Sequence, residues 1–217
     1  MFGLTEEVFL LSLYEKKKSV VISSNPAFPF ALAGAILFEL IILNKIKIED
    51  GKRIALVEYE LSDDKHLDGA LDEILEVNKH KRITYWINVL GKRGRSIQRS
   101  LFNTMVMKKA LDEEKEHHWV LPFPKESLTS GSAKFQLKTR LRNVVFGDES
   151  ADQKSIAVFS LLTTCNLLGF VFTEDEIKAA KVKIDELVNR YENGAEVIEN
   201  LRAIKSGIDT VMPLAYK

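Results

Sequence analysis

The sequence has little cysteine and histidine, and it has no long apolar run. Its 217 residues include one cysteine, Cys165, and four histidines. A single cysteine excludes an intramolecular disulfide framework and a cysteine-rich zinc site, and it suits a reducing compartment. The longest apolar stretch, residues 28–43, is interrupted by Pro29 and Glu39 and is too short for a bilayer, which needs about 20 apolar residues. Because the N-terminus also lacks a secretory signal pattern, we expect a cytoplasmic protein without a membrane span.

Common catalytic motifs are also missing. The sequence contains no Walker loop, no G-x-G-x-x-G, no H-E-x-x-H and no G-x-S-x-G. His117 and His118 are adjacent, so their side chains point in different directions on a strand or on a helix. We therefore expect no enzyme, no cofactor and no metal site. No proline- or glycine-rich linker divides the chain, which predicts that residues 1–217 form one domain.

Acidic residues are unevenly distributed, although the 31 acidic residues balance the 31 basic ones over the whole chain. They are absent from residues 77–110 and from residues 127–147, and both stretches are rich in lysine and arginine. If the two stretches fold onto one face, that face attracts the phosphates of lipid or nucleic acid. The alternative is a solvated surface whose basic side chains pair with acidic segments elsewhere in the fold.

The densest group of basic residues lies between two glycines. Lys92, Arg93 and Arg95 occupy residues 91–96 together with Gly91 and Gly94, and Ser96 is the expected N-cap of the next helix. A helix N-terminus presents free backbone N–H groups to an anion. This segment is therefore a candidate phosphate site, although the pattern does not identify the molecule that carries the phosphate.

Hydrophobic periodicity predicts a mainly α-helical protein with one or two β-hairpins. Two helices that are apolar on nearly all sides are expected at the centre of a bundle, and amphipathic helices are expected to wrap around them. Thr5 is the expected N-cap of the first helix, and Thr173 that of the helix at 173–191. An Asp-Gly turn between residues 46 and 57 predicts a hairpin. The expected helices cover residues 5–16, 30–43, 66–77, 83–90, 96–111, 135–146, 155–170, 173–191 and 195–212, with a short strand at 20–22 and an extended segment at 118–124.

A helix followed by a hairpin is also typical of winged-helix proteins, which bind DNA. That function needs a polar, basic recognition helix before the hairpin. Residues 31–43 are apolar and contain no basic residue. A winged-helix nucleic-acid binder is therefore the alternative function, and nucleic acid is not the expected partner. A protein-interaction module that binds no lipid is a further alternative.

The order of these segments resembles the Golgi phosphoprotein 3 family, and its alanine-rich second helix resembles the bacterial members. The resemblance covers nearly the whole chain. It is carried by residues 4–13 (LTEEVFLLSL), 31–40 (ALAGAILFEL) with 46–48, Trp86 and Ile87 with 95–111, 138–142 (KTRLR), and 160–172 with the closing helices.

The resemblance implies a non-enzymatic adaptor that sits on the cytosolic face of a membrane. Eukaryotic members bind phosphatidylinositol 4-phosphate through a basic pocket and a neighbouring hydrophobic loop, and they bind the cytosolic tails of glycosyltransferases. The implied partners are anionic phospholipid and protein tails. A hairpin after the basic helix mediates self-association in the family. By this analogy the oligomerising hairpin is residues 112–128, with Trp119, Leu121 and Phe123 at its centre.

The resemblance also implies which residues contact the headgroup. One pocket arginine of the family falls on Arg95. A second basic position falls on Gln98, beside Arg99. A third, on the second helix, falls on Ala33, and the pocket tryptophan falls near residues 23–24, where the chain has serines. The implied headgroup site is thus Lys92, Arg93, Arg95, Gln98 and Arg99. Phe28 and Phe30 are candidate membrane-loop aromatics, and the alternative is that they belong to the core.

Overall fold

The fold is mostly helical, as the periodicity predicts. A computed structural model describes residues 2–16, 19–62, 64–77, 79–108, 133–191 and 195–214. Within these ranges, nine α-helices and two antiparallel strand pairs follow one another along the chain. The elements are α1 (Leu4–Ser12), β1 (Leu13–Lys16), β2 (Ser19–Ile22), α2 (Phe28–Ile42), β3 (Ile46–Glu49), β4 (Arg53–Leu56), α3 (Lys65–Val77), α4 (Ile83–Lys92), α5 (Gly94–Met107), α6 (Ala133–Phe146), α7 (Gln153–Thr164), α8 (Glu174–Arg190) and α9 (Ala195–Val211).

Helix α2 is the central helix of the bundle. Twelve of its fifteen residues are buried, and it packs against α1, α3, α4, α5, α7 and α9. A β-carbon at Gly34 would lie 2.6 Å from Leu161 of α7 and 3.0 Å from Ile208 of α9, so glycine lets three helices approach closely. The helix begins at Phe28, two residues earlier than predicted, because Pro29 is compatible with the first turn of a helix.

Helix α7 is the second largely buried helix, and it is shorter than the sequence predicts. Asp152 caps it by accepting a hydrogen bond from the Ser155 backbone N–H at 2.7 Å. It ends at Thr164 rather than at residue 170, because Asn166 adopts a left-handed backbone conformation with φ 54°. A separate turn of 3₁₀ helix, Leu168–Phe170, follows. Buried side chains from all nine helices form one hydrophobic cluster around α2 and α7.

The predicted bounds of α1 are wrong at both ends. The N-cap is Gly3, and Thr5 lies inside the helix. The helix ends at Ser12 instead of continuing to residue 16, because residues 13–16 form β1 and pair with β2 in the register Leu13 to Ile22. The strand expected at residues 20–22 is confirmed as part of β2.

The hairpin predicted around the Asp-Gly turn is confirmed as β3 and β4, which pair Ile46 with Leu56. Gly51 adopts φ 71° in the turn, a conformation that glycine tolerates best. The winged-helix alternative is wrong because of the helix that precedes the hairpin. Helix α2 is enclosed by other helices, so it cannot enter a DNA groove.

Candidate functional site

The densest basic segment of the sequence forms the junction between α4 and α5. Helix α4 ends at Lys92 and α5 begins at Gly94, with Arg93 between them at φ −85° and ψ 6°. The predicted helix break is confirmed, but the predicted N-cap, Ser96, is wrong. Ser96 lies in the first turn of α5 and Arg93 occupies the N-cap position, without a side-chain cap. In α5 the Ser96 N–H already donates to the Arg93 carbonyl at 2.9 Å, which leaves the N–H groups of Gly94 and Arg95 as the candidate donors to an anion at the start of the helix.

The two glycines of the junction let α2 approach it. A β-carbon at Gly91 would lie 2.8 Å from the Phe30 ring, and one at Gly94 would lie 2.7 Å from the Pro29 side chain. Both distances are shorter than normal carbon–carbon contacts. The first turn of α2 thus packs directly on the junction and holds its backbone in place.

Three cationic side chains of the junction are exposed, those of Lys92, Arg93 and Arg95, and one of them forms an ion pair. Arg93 forms an ion pair with Glu73 of α3. Lys92 and Arg95 form no ion pair with a carboxylate in the part of the chain that the structure describes. Arg95 and Arg99 lie four residues apart on α5 and so on the same side of the helix, with half-buried Gln98 beside them. The structure therefore brings the five predicted headgroup residues to one end of α4 and the first turns of α5.

The two candidate membrane-loop aromatics are not on a surface loop. Phe28 is 0% exposed and Phe30 is 5% exposed. Phe28 packs edge to face on Phe170, with ring centroids 6.0 Å apart. Both rings belong to the first turn of α2, which turns them into the core, so the sequence-based interpretation as membrane-loop residues is wrong for this conformation. Trp119, Leu121 and Phe123, the candidate residues of the oligomerising hairpin, lie outside the described residues.

The second acid-free stretch does not extend this basic surface. Arg140 of α6 donates to the Glu7 carboxylate at 2.7 Å, and Arg142 donates to Glu176 of α8 at 2.5 and 2.7 Å. The hydrogen bond from Arg142 lowers the pKa of Glu176 to about 2. Of the two alternatives for the basic stretches, pairing with acidic segments is confirmed for Arg140 and Arg142, because α6 packs between acidic residues of α1 and α8.

Lys134, at the start of α6, is engaged with the backbone instead of an acid. Its amine donates to the carbonyl oxygen of Leu13. Burial, together with the nearby charge of Lys138, lowers the pKa of Lys134 to about 8. This lysine ties α6 to β1.

A buried polar centre at the start of α1 is the feature that sequence reasoning missed. The Glu39 carboxylate accepts hydrogen bonds from the backbone N–H groups of Leu4 and Thr5 at 3.0 and 2.9 Å, and from the Thr5 hydroxyl at 2.6 Å. The sequence does predict that Glu39, on an apolar helix, needs a partner or the surface. It does not identify the partner, because 34 residues separate Thr5 from Glu39.

The two acidic residues of α1 are buried and paired rather than exposed. Lys108 donates to Glu6 at 2.6 Å, and Lys154 lies 3.4 Å from the Glu7 carboxylate. Burial raises the pKa of Glu7, although Arg140 and Lys154 oppose this effect. Burial also lowers the pKa of the nearby His66, whose Nδ1 has no hydrogen-bond partner. These ion pairs join α1 to the C-cap of α5, to α6 and to α7, and they are structural in character.

An open groove of about 810 Å³ lies elsewhere on the surface, between the β3–β4 hairpin and α9. Its lining comes from these elements and not from the α4–α5 junction. The charged lining residues are of both signs: Lys47, Lys52, Arg202, Glu49, Asp50, Glu196 and Glu199. A mixed lining gives no preference for a phosphate, so the junction remains the better candidate site.

The described residues provide neither a metal cluster nor a membrane span. Within them, no group of three or more His, Cys, Asp or Glu side chains is placed to hold a metal ion. None of the described helices combines the length and the apolar character that crossing a bilayer requires.

These features define a class: a helical bundle around an apolar central helix, with an exposed basic helix junction. A model of the family Golgi phosphoprotein 3 (GPP34) matches residues 4–204. The chain belongs to this family, which confirms the resemblance seen in the sequence. No curated protein sequence matches the chain. Membership in the family suggests a Golgi-associated, non-enzymatic adaptor.

Proposed function

We propose that this protein is a peripheral membrane adaptor that binds the phosphorylated headgroups of anionic phospholipids at the α4–α5 junction. The observation that carries the proposal is the position of Lys92, at the end of α4, and Arg95, in the first turn of α5. Both side chains are exposed, and neither forms an ion pair with a carboxylate of the described chain. Cations beside a helix N-terminus attract phosphate through both charge and backbone N–H groups.

The site favours phosphate charge over recognition of one particular inositol ring. Ala33 occupies the family's third basic position and is fully buried in α2, so this position offers no hydrogen-bond donor to a headgroup. Ser23 and Ser24 replace the pocket tryptophan, and the Ser23 hydroxyl accepts a hydrogen bond from the Asn25 backbone N–H at 3.2 Å. We therefore expect similar binding to phosphatidylinositol 4-phosphate and to other lipids of equal charge.

The adaptor role in this proposal rests on membership in the family. Protein tails are the expected cargo, and the cytosolic face of a membrane is the expected location. Self-association through residues 112–128 belongs to the same proposal. These residues lie outside the described ranges, so the support for this step is the family membership alone.

Vesicle flotation with the full chain tests the lipid proposal. Vesicles of phosphatidylcholine alone are compared with vesicles that also contain phosphatidylglycerol or phosphatidylinositol 4-phosphate, at low and at high salt. We expect flotation with both anionic compositions at low salt and a loss at high salt. Arg95→Gln is expected to weaken binding about fivefold or more, since a basic residue near an anionic surface contributes about 1 kcal/mol.

A matched variant controls for general charge. Arg190 is exposed at the end of α8, and Arg190→Gln removes the same charge far along the chain from the junction. It is expected to float like the wild type. If the wild-type chain fails to float with either anionic composition at low salt, the lipid proposal is wrong.

A protein-interaction role without lipid is the second candidate function. The ion pair between Arg93 and Glu73 favours it, because it neutralises one of the junction's cations. This role predicts that flotation is absent while a tail peptide still binds. Titration of the full chain with synthetic glycosyltransferase tail peptides measures that outcome.

A further inference from the structure

Helix α4 has one buried face and one exposed face. Its buried residues include Trp86 and Leu90, which lie in the core. Tyr85 is 38% exposed and Lys92 is exposed, with half-buried Val89 between them. Residues separated by four and by seven positions lie on the same side of a helix. The exposed residues of α4 therefore form one stripe, about 10 Å long from Tyr85 to Lys92 at 1.5 Å per residue.

Positive charge continues from this stripe past the start of α4. Lys79 and Arg82 are exposed, and the Lys81 amine lies 5.3 Å from the centre of the Tyr85 ring. None of these three residues forms an ion pair with an acid inside the described ranges. His80 differs, because its Nδ1 lies 2.8 Å from Glu49.

The stripe thus joins two basic ends through an exposed tyrosine. The basic residues before α4 form one end, and Lys92 and Arg95 of the junction form the other. No Asp or Glu occurs in residues 77–110, so no acidic residue interrupts the stripe along the chain. We refer to residues 79–92 of this exposed face as the α4 stripe.

We propose that the α4 stripe is a second contact with an anionic lipid surface, in addition to the junction, and that Tyr85 lies at the level of the headgroups. The proposal rests on the function proposed above and extends the membrane-facing area along α4. Lysine and arginine near a membrane are attracted by anionic lipids. Tyrosine favours the bilayer interface because its ring is apolar and its hydroxyl is polar.

A bilayer fits this surface better than a nucleic acid does. A recognition helix presents several polar side chains to base edges, whereas the exposed residues of α4 are Tyr85 and Lys92. The chain has 31 acidic residues that balance its 31 basic ones. The remaining surface therefore does not attract a long polyanion, whereas a flat bilayer needs to meet only one face.

Flotation with phosphatidylglycerol vesicles at low salt tests the stripe in the full chain. The variant Lys79→Gln/Lys81→Gln removes two charges at the end of the stripe that is distant from Arg95. We expect binding about twentyfold weaker, because each lysine contributes about fivefold. The matched control, Lys178→Gln/Lys181→Gln, removes two exposed lysines of α8 and is expected to bind like the wild type.

A fluorescent label gives an independent measurement. Tyr85→Cys carries an environment-sensitive dye, while the native Cys165 is buried and is not expected to react. We expect a blue shift of the dye on phosphatidylglycerol vesicles and none on phosphatidylcholine alone. The same dye at Lys178→Cys is expected to show no shift on either composition.

The outcomes separate this proposal from the one on which it rests. If Arg95→Gln weakens flotation but Lys79→Gln/Lys81→Gln does not, the stripe is wrong and the junction site stands. If the lysine variant weakens flotation but Arg95→Gln does not, the stripe is supported and the junction site is wrong. If the wild-type chain does not float, both lipid proposals are overturned. If it also shifts duplex DNA in a gel at low salt, and Lys79→Gln/Lys81→Gln abolishes that shift, the stripe binds nucleic acid instead.

Discussion

Glu39 of α2 holds the first turn of α1 through Thr5. One carboxylate oxygen accepts hydrogen bonds from both the Thr5 backbone N–H, at 2.9 Å, and the Thr5 hydroxyl, at 2.6 Å. A carboxylate from a distant helix thus serves as the cap that α1 lacks in its own sequence, since Gly3 has no side chain. This contact attaches the N-terminal helix to the centre of the bundle.

We predict that Glu39→Ala lowers the free energy of unfolding by about 3 kcal/mol, because it leaves buried N–H groups without an acceptor. Thr5→Val removes only the hydroxyl bond and is expected to cost about 1 to 2 kcal/mol. Urea denaturation of each variant and of the double variant measures the coupling between them. Additive effects of the two substitutions would show that the contact is not formed in solution.

The close packing of α2 on the junction depends on the absence of a side chain at Gly91. A β-carbon there would lie 2.8 Å from the Phe30 ring, so Gly91→Ala is expected to lower the free energy of unfolding by about 2 kcal/mol. Gly69 of α3 is the matched control, because a β-carbon there meets no atom within 4 Å. Gly69→Ala is expected to stabilise the protein by about 0.5 to 1 kcal/mol, since alanine favours a helix over glycine. Thermal unfolding of both variants checks the opposite signs, and a stable Gly91→Ala protein would contradict the packing described for α2.

The pair of Arg142 and Glu176 predicts a dependence of stability on pH. The pKa of the Glu176 carboxyl is lowered from 4.5 to about 2, mainly by the hydrogen bond from Arg142. A carboxyl whose pKa falls on folding stabilises the folded state above its unfolded pKa, and this contribution is lost as pH falls through the folded pKa. The difference in stability between the wild type and Glu176→Gln is therefore expected to shrink as pH falls from about 5 to about 2.

Urea denaturation at several pH values measures that difference. Glu174→Gln is the control, since Glu174 is exposed in the same helical turn and has no ion pair within the described ranges. The difference for the control is expected to stay nearly constant over the same pH range. A constant difference for Glu176→Gln would show that the pair contributes nothing to folding.

Cys165 is expected to be unreactive in the folded protein. It is buried, and burial raises the pKa of its thiol to about 12. At pH 8 the thiolate fraction is then only about one in ten thousand, and thiolate is the reactive form. A coloured thiol reagent at pH 8 is expected to react slowly with the folded chain and rapidly after addition of denaturant. Fast reaction of the native protein would contradict the burial of this helix end.

Sequence patterns predict much of the architecture because helices and hairpins depend on nearby residues. Thr173 is the N-cap of α8 as predicted, and its N–H donates to the Glu176 carboxylate at 2.9 Å within one turn. The apolar residues of α2 predict a central helix, because a helix without a polar face must be buried. The basic junction is visible in the sequence for the same reason, since its charges and its helix break lie within six residues.

The ends of elements and the pairing of charges are decided by contacts that the sequence does not show. Phe30 is buried because the first turn of α2 packs against the α4–α5 junction, and Phe28 is buried beside Phe170. Arg140 pairs with Glu7 across 133 positions of the chain, so the sequence could not decide between a shared basic face and basic side chains paired with acidic ones.

The sequence by itself determined the family, the helical class, the apolar centre and the basic junction, because each depends on composition and local order. Only the tertiary structure decided that Glu39 caps α1, that the charges of α6 are paired, and that the exposed face of α4 connects two basic ends. Hydrogen bonds and ion pairs between distant segments depend on which helices pack together, and a linear pattern does not contain that information.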